Sequence, residues 1–514
     1  MISPTRLMVL ASRRLFELFS SAAFLAVAGC ARVAPEGDYQ EAARFVTERT
    51  GVEQVYDPSA DAEVGQAVRA LLEGGLTQDE AVRVALLNNK DFQSLFAELG
   101  ASRADVVQSG LLTNPSLSLL VQFPEGGGRS KLTFGFGQQL VDLWQIPVRK
   151  NIAEAQLEQA VLAIVRRAVD LAADVRVRYS RLAALLRAEA ITRENLQLVE
   201  RSLQLAQARY TAGESGQLDV FLVRGTLLDV QVALINLARD RRVALADLER
   251  SMGLTRSTQR VELTEELKPP PPIVFEESEL VSFALHERLD AQSAAAQVRA
   301  AEAELRRQYL NIFPSVVAGA EVERTDRRSL PGRDIVADTL RTSIANGGLT
   351  APEIQSKDQR DQERRQIIDS IIGPSLAITL PIWDQNQAQI AKADFTVRQR
   401  RKSFEDLLDQ VALDVQQSSA AMRTAQELVS FYEKETLPQA QKNVDAATRS
   451  YQAGEQSVVA LIEAQRSLID QRRTFVDIVR DSAIAKAELE RAVGGRLPRS
   501  ATTQATPNQP ASIE

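Results

Sequence analysis

Two periodicities alternate along the chain. From about Asp79 to Gln108, apolar residues recur three and four positions apart, the signature of an amphipathic helix. The period then falls to two. Leu117, Leu119, Val121 and Phe123 alternate with smaller or polar neighbours, as do Leu132, Phe134, Phe136 and Leu140. The stretch Glu125-Gly126-Gly127-Gly128-Arg129 between them reads as a loop, so the pair predicts a β-hairpin. An uninterrupted helical stretch follows from about Val148 to Thr211, long enough at about 1.5 Å per residue to reach roughly 95 Å. It stops at Ala212-Gly213-Glu214, where glycine can take the left-handed cap conformation, and a helix returns to about Gly253. Val220, Leu227 and Leu234 in that helix are seven apart, the spacing that keeps one seam facing a partner helix.

The whole sequence of elements is then written again. A helix is predicted from Glu279 to Tyr309, followed by alternating Val316, Ala318, Ala320 and Val322, then Leu376, Ile378, Leu380 and Ile382. A long helix from Asn386 to Gln452 ends at Ala453-Gly454-Glu455, and its return carries Leu461, Leu468 and Phe475 as the seam. Asn114-Pro115-Ser116 and Phe313-Pro314-Ser315 lie about 199 positions apart, whereas Arg209-Tyr210-Thr211-Ala212-Gly213 and Ser450-Tyr451-Gln452-Ala453-Gly454 lie about 241 apart. An offset that steps once, by about 40, means two copies of one unit with a single insertion, bounded by Glu323 and Gly373. Near-balanced charge in that insertion predicts a solvated cap or short helix. Pro438, inside the second long helix, predicts a bend or local break.

The amino terminus is an address. Arg6, Arg13 and Arg14 precede the mostly apolar run from Leu18 to Gly29, the layout of a signal peptide, with a hint of a twin-arginine signal at Arg13-Arg14. The run ends Val27-Ala28-Gly29-Cys30, which resembles the bacterial lipoprotein box. That resemblance implies cleavage before Cys30 and lipidation of its thiol, and Ala31, in place of an aspartate, favours the outer membrane. The strands, about nine residues long with one apolar face, fit either tilted membrane strands or two soluble edge hairpins packed on helices. The lipoprotein signal favours the membrane. Four strands cannot close into a barrel, and an open edge is not tolerated in hydrocarbon, so the chain must oligomerise. Two copies give eight strands with a filled interior, and three give twelve with a lumen.

Composition removes other classes. The 514 residues contain one cysteine, one histidine (His286) and four methionines (Met1, Met8, Met252, Met422), too few for an intrachain disulfide or a soft-ligand metal site. A net charge of −7 argues against nucleic acid as a partner. No phosphate loop, nucleophile triad or metal cluster is visible, so neither an enzyme nor a cofactor is expected.

Together the lipoprotein box, the duplicated helix–hairpin–helix unit, Asn114-Pro115, Trp144 to Arg149 and the two Tyr-x-x-Gly turns resemble the TolC-type outer-membrane efflux family, from about residue 70 to 497. The resemblance implies a mainly α chain with a membrane β-barrel, four strands per chain. It implies a homotrimer whose 12-stranded barrel is continuous with a periplasmic α-helical barrel. The tip turns at Gly213 and Gly454 would meet a periplasmic adaptor coupled to an inner-membrane pump. Gate positions carried over from the family are Tyr451, Gln456, Ala460 and Glu463, with Asp219 accepting a tether from Tyr451. Gln456 and Ala460 lack the family's charges. Three copies of Glu463 would form a carboxylate ring favouring cations.

The expected organisation is a signal peptide (1–29), a lipidated polar extension (30–70), a first repeat (71–264), a Pro-rich linker (265–277), a second repeat (278–497) with an extracellular insertion (323–373), and a disordered tail (498–514). The expected function is a passive exit duct in the outer membrane for drugs, metal ions or secreted protein. A structural coiled-coil envelope protein and a lipid-anchored enzyme are the competing readings.

Overall fold

The computed structural model describes residues 31–123, 130–257, 260–313, 315–326, 335–351, 356–358, 368–453, 455–456 and 458–498. The signal peptide, Cys30, Gly454 and residues 499–514 of the tail lie outside these. Two units form, one from the described parts of 1–105, 154–299 and 398–514, the other from those of 106–153 and 300–397.

The helical unit begins with α1 (Glu36–Thr50), a short 3-10 turn and α2 (Asp61–Leu72). The sequence reads this region as a polar extension, and the structure corrects that. Ala42, Val46, Val52 and Tyr56 are buried, and the rings of Tyr39, Tyr56, Phe92 and Phe96 pack together. Arg103 binds Asp38 through two hydrogen bonds. The expected domain boundary at 70/71 falls inside α2. The apolar residues of this region are spaced singly among charges, so composition alone hides the docking face.

Next come α3 (Gln78–Asn88) and α4 (Lys90–Ser109), where the sequence predicted one helix. A Thr77/Glu80 capping box starts α3. Asn89 breaks the pair with an extended backbone. After the first hairpin, α5 (Asp142–Thr211) and α6 (Gln217–Ser251) form the antiparallel pair, and α7 (Glu277–Glu287) and α8 (Leu289–Leu310) repeat the break at Arg288. The cause is the returning helix. Gly253 ends α6 with φ +73, and a Cβ there would lie 2.6 Å from the Asn88 carbonyl oxygen. Asn88 and Asn89 donate side-chain hydrogen bonds to the carbonyls of Met252, Gly253 and Ser251. Gly494, with φ +86, abuts Arg288 in the same way. Each helix end thus plugs into the break of its own repeat.

The Pro-rich linker is not free either. Ile273 is buried in a core with Leu280, Val411, Val415, Met422 and Leu489, and Arg423 lies over the Phe275 ring.

The second unit carries the sheet: β1 (Ser116–Gln122), β2 (Lys131–Gln139), β3 (Val316–Asp326) and, after α9 (Ile335–Ala345), β4 (Ile368–Ile378). All neighbours are antiparallel in the order β1-β2-β3-β4. Sequence alternation placed the last strand too late. Leu380 and Ile382 fall beyond it, because pairing with β3 runs back through the expected insertion to Ile368. The insertion proper is therefore 327–367 rather than 323–373.

The second long helix is α10 (Gln387–Phe431), a π-helical turn Tyr432–Thr436, and α11 (Leu437–Gln452); α12 (Val458–Ala492) returns. The π turn sits just before Pro438. Proline offers no N–H and crowds the carbonyl four residues back, and one wider turn absorbs both. In the hairpin seams Leu461 and Leu468 are buried as expected. On α6 the buried seam runs through Val223, Val230 and Leu237, with Val220 and Leu227 flanking it.

Candidate functional site

The two glycine turns carry the expected gate residues. At the first, α5 ends with Gly213 at φ +79, and Glu214 N–H closes back on the Arg209 carbonyl at 2.9 Å. Gly216 precedes α6, which places Asp219 in its first turn. At the second, the N–H groups of Glu455 and Gln456 both reach the Ser450 carbonyl, at 2.9 and 3.3 Å.

Tyr451 is the buried centre of this region, 4% exposed. It packs with Val199, Ala206, Val223, Val458 and Leu461, which belong to three other helices of the two hairpins. The Arg209 guanidinium lies over its ring, 4.7 Å from the centroid, and donates to the Tyr451 backbone carbonyl at 3.2 Å. Glu214 faces Arg209 at 3.6 Å. A desolvated cation over an aromatic face contributes about 2 kcal/mol. The expected tether from Tyr451 to Asp219 is not formed. The Tyr451 hydroxyl is buried without a hydrogen bond among the described residues, as are Arg209 Nε and Ser215 Oγ. The half-buried Asp219 side chain has no hydrogen bond or ion pair among them. Gln456 and Glu463 are exposed, with no side-chain hydrogen bond or ion pair among the described residues.

Sequence reasoning missed Arg209. Its repeat partner is Ser450, and that departure from symmetry was the available signal. Arg209 places a cation of the first hairpin on Tyr451 of the second.

A second polar cluster surrounds the break at Arg288. Arg288 pairs with Asp290 at 2.6 Å and Asp414 at 2.8 Å, and Arg166 of α5 reaches Asp290 at 2.8 Å. Burial opposes the charge on Asp290. The Arg288 hydrogen bonds and the Arg288 and Arg166 charges outweigh it and hold the carboxyl below the usual carboxylate range. Neighbouring Arg167 takes Asp91, the first-repeat counterpart of Asp290, at 2.8 Å. Arg166, Arg167, Arg288, Asp290 and Asp414 border a cavity of about 650 Å³. Nearby Asp170 is pushed up by burial, which exceeds the pull of Arg166. Tyr179 is raised to about 12 by burial, and its hydroxyl donates to the Leu76 carbonyl at 2.9 Å.

The sheet has two distinct faces. Residues opposite one another across the ladder share a face. Leu117, Phe136, Ala320 and Pro374 form one row, and Leu119, Phe134, Val322 and Ile372 the next. The other face carries Ser116, Ser118, Thr133, Gly135, Gly137, Gly319, Glu321 and Ser375, with the apolar Leu120 and Ile371 in the row of Thr133 and Glu323. Leu117, Leu119, Ile372 and Leu376 are exposed in the single chain. Such a sheet suits hydrocarbon on one side and water on the other. Among the described residues no helix is long and apolar enough to cross a membrane, and no His/Cys/Asp/Glu group could hold a metal ion.

Comparison with known proteins agrees with this geometry. The chain matches the profile of the family described as outer membrane efflux protein over residues 81–254 and 280–495. It is 24% identical over 446 residues to the pyoverdine export outer membrane protein OpmQ of Pseudomonas aeruginosa, covering 81% of this chain and 85% of that one. It is 24% identical over 437 residues to the cobalt-zinc-cadmium resistance protein CzcC of Cupriavidus metallidurans, covering 82% and 90%. The crystal structure of the outer membrane protein VceC of Vibrio cholerae superposes with a TM-score of 0.61 at 16% identity, covering 81% of this chain and 96% of that one.

Proposed function

The chain belongs to the outer membrane efflux protein family, and from that premise we propose that three copies close into the exit duct of a tripartite export system. The protein is an outer-membrane efflux channel. The observation that carries the trimer is the sheet itself. In one chain β1 and β4 are unpaired edges of a sheet whose outer face is apolar. Hydrocarbon does not tolerate unpaired backbone groups, so the edges must meet edges of other copies. Twelve strands leave a lumen where eight would be filled.

The helical hairpins support the same count. Opposite its buried seam, α6 exposes Leu218, Phe221, Leu228, Val232 and Ile235, spaced three, four or seven apart. A helix apolar on two sides has two partners, one in its own chain and one in the next.

Cys30 carries the lipid that fixes the chain to the outer membrane, and the 327–367 insertion lies on the external side. The glycine turns at Gly213 and Gly454 form the end that meets a periplasmic adaptor, which an inner-membrane pump drives. Glu463 and Gln456 face the pore near that end, close to Tyr451 and Asp219. The chain performs no catalytic step and moves cargo passively.

Two measurements test this. Mass determination in detergent should give three chains, and purified protein in planar bilayers should conduct. A monomer without conductance would favour the structural coiled-coil reading instead.

A further inference from the structure

The water side of the sheet holds one charge that nothing among the described residues balances. By register, that face carries Lys131, Glu321, Glu323 and, opposite Thr325 at the strand ends, Asp369 as its charged residues. Lys131 and Glu323 neutralise each other in an ion pair of 2.8 Å. Glu321 stands on β3 with Gly135 opposite it on β2 and Gly373 opposite it on β4. No directly opposite side chain on either neighbouring strand covers or pairs its carboxylate, and the space at Gly373 is open. Glu321 is exposed, with no hydrogen bond or ion pair among the described residues. An unpaired charge costs about 2–4 kcal/mol on the lipid face of a membrane barrel but little in a water-filled lumen.

We propose that Glu321 is a selectivity-determining residue of the outer-membrane barrel: three copies form a carboxylate ring that favours cations over anions. The proposal rests on the trimeric duct described above. It adds a second selective level, built on a strand, to the one expected of Glu463 at the helical turns. A ring of like charges in a pore raises the local concentration of counter-ions, and the effect fades as salt screens it.

Reversal potentials under a KCl gradient test this directly. E321Q should lower the potassium-to-chloride permeability ratio at least about twofold, more in dilute salt than in concentrated salt. A ratio unchanged in E321Q while E463Q lowers it overturns the proposal and leaves the duct reading standing. Absence of conductance together with absence of a trimer overturns both. Thiol labelling gives an answer independent of conduction. Measured against the parent protein, whose only cysteine is Cys30, the E321C thiol should react with membrane-impermeant reagents, faster with cationic than with anionic ones. The V322C thiol, on the apolar face, should not. The opposite pattern would place Glu321 toward lipid and overturn the proposal.

Discussion

Arg209 of the first hairpin clasps Tyr451 of the second, with its guanidinium 4.7 Å from the ring centroid and one N–H on the tyrosine carbonyl. The contact uses the ring and the backbone of Tyr451 and leaves the hydroxyl unpaired. Substitutions should therefore separate the two parts. Tyr451→Phe should change little, within about 0.5 kcal/mol, because only an unpaired polar atom is removed. Tyr451→Ala and Arg209→Ala should both loosen the pair of hairpins, by about 2 kcal/mol or more, and raise single-channel open probability. Equal gains in open probability from Tyr451→Phe and Tyr451→Ala would instead favour a hydroxyl tether to Asp219.

The π turn at Tyr432–Thr436 gives a second prediction. The first hairpin has no counterpart to it, since α5 runs unbroken from Asp142 to Thr211. Pro438→Ala restores an N–H and removes the ring clash, so a regular helix becomes available. Proline in a helix interior costs about 3 kcal/mol, part of which the wide turn has already relieved. Amide exchange across 430–440 should slow in the variant, by an amount below that full figure. Unchanged exchange would mean that packing holds the π turn, for which the stacked Tyr432 and Phe475 rings, 6.5 Å apart, are the available contact.

How much of this was legible beforehand depended on whether a signal was periodic. The duplication, the hairpin seams and the alternating strands follow from residue spacing, and all were readable. Breaks at Asn89 and Arg288 were not, because each is imposed by a helix end more than 150 residues away in sequence, at Gly253 and Gly494. The docked amino-terminal helix was hidden for a similar reason: Asp38 looks like solvated charge until Arg103 is placed beside it. Glu321 had no sequence signal, since its isolation comes from two glycines on other strands. Asp219 was carried over from the family's pattern, and its partner was instead engaged by Arg209.

The second apolar side of α6 predicts how assembly can be broken without unfolding the chain. Ile235 is 70% exposed in the single chain, so Ile235→Glu removes little contact within it. In the trimer the same residue would be buried, and a carboxylate there would be desolvated without a partner. Size-exclusion in detergent should show a shift from trimer toward monomer, with unchanged helix content by circular dichroism. A trimer of unaltered stability would locate the intermolecular seam on another helix.

The buried pairing of Asp290 with Arg288 and Arg166 makes stability depend on pH in a defined direction. Its folded-state carboxyl lies below the ordinary value of about 3.9, so the native state binds its proton less readily than the unfolded chain does. The stabilisation is therefore fully present above about pH 4 and is lost as pH falls through the lowered folded value. Asp290→Asn should destabilise the helical unit at neutral pH by about 3 kcal/mol, because two arginines lose a buried partner. Asp91→Asn removes the counterpart pair with Arg167, where the carboxylate is largely exposed, and should cost less than about 1 kcal/mol. Thermal unfolding of the three proteins at pH 7 and pH 3 checks both statements. The gap between parent and Asp290→Asn should narrow at pH 3, while Asp91→Asn stays close to the parent throughout. A gap that stays constant with pH would mean the carboxylate charge is not what holds the break at Arg288 together.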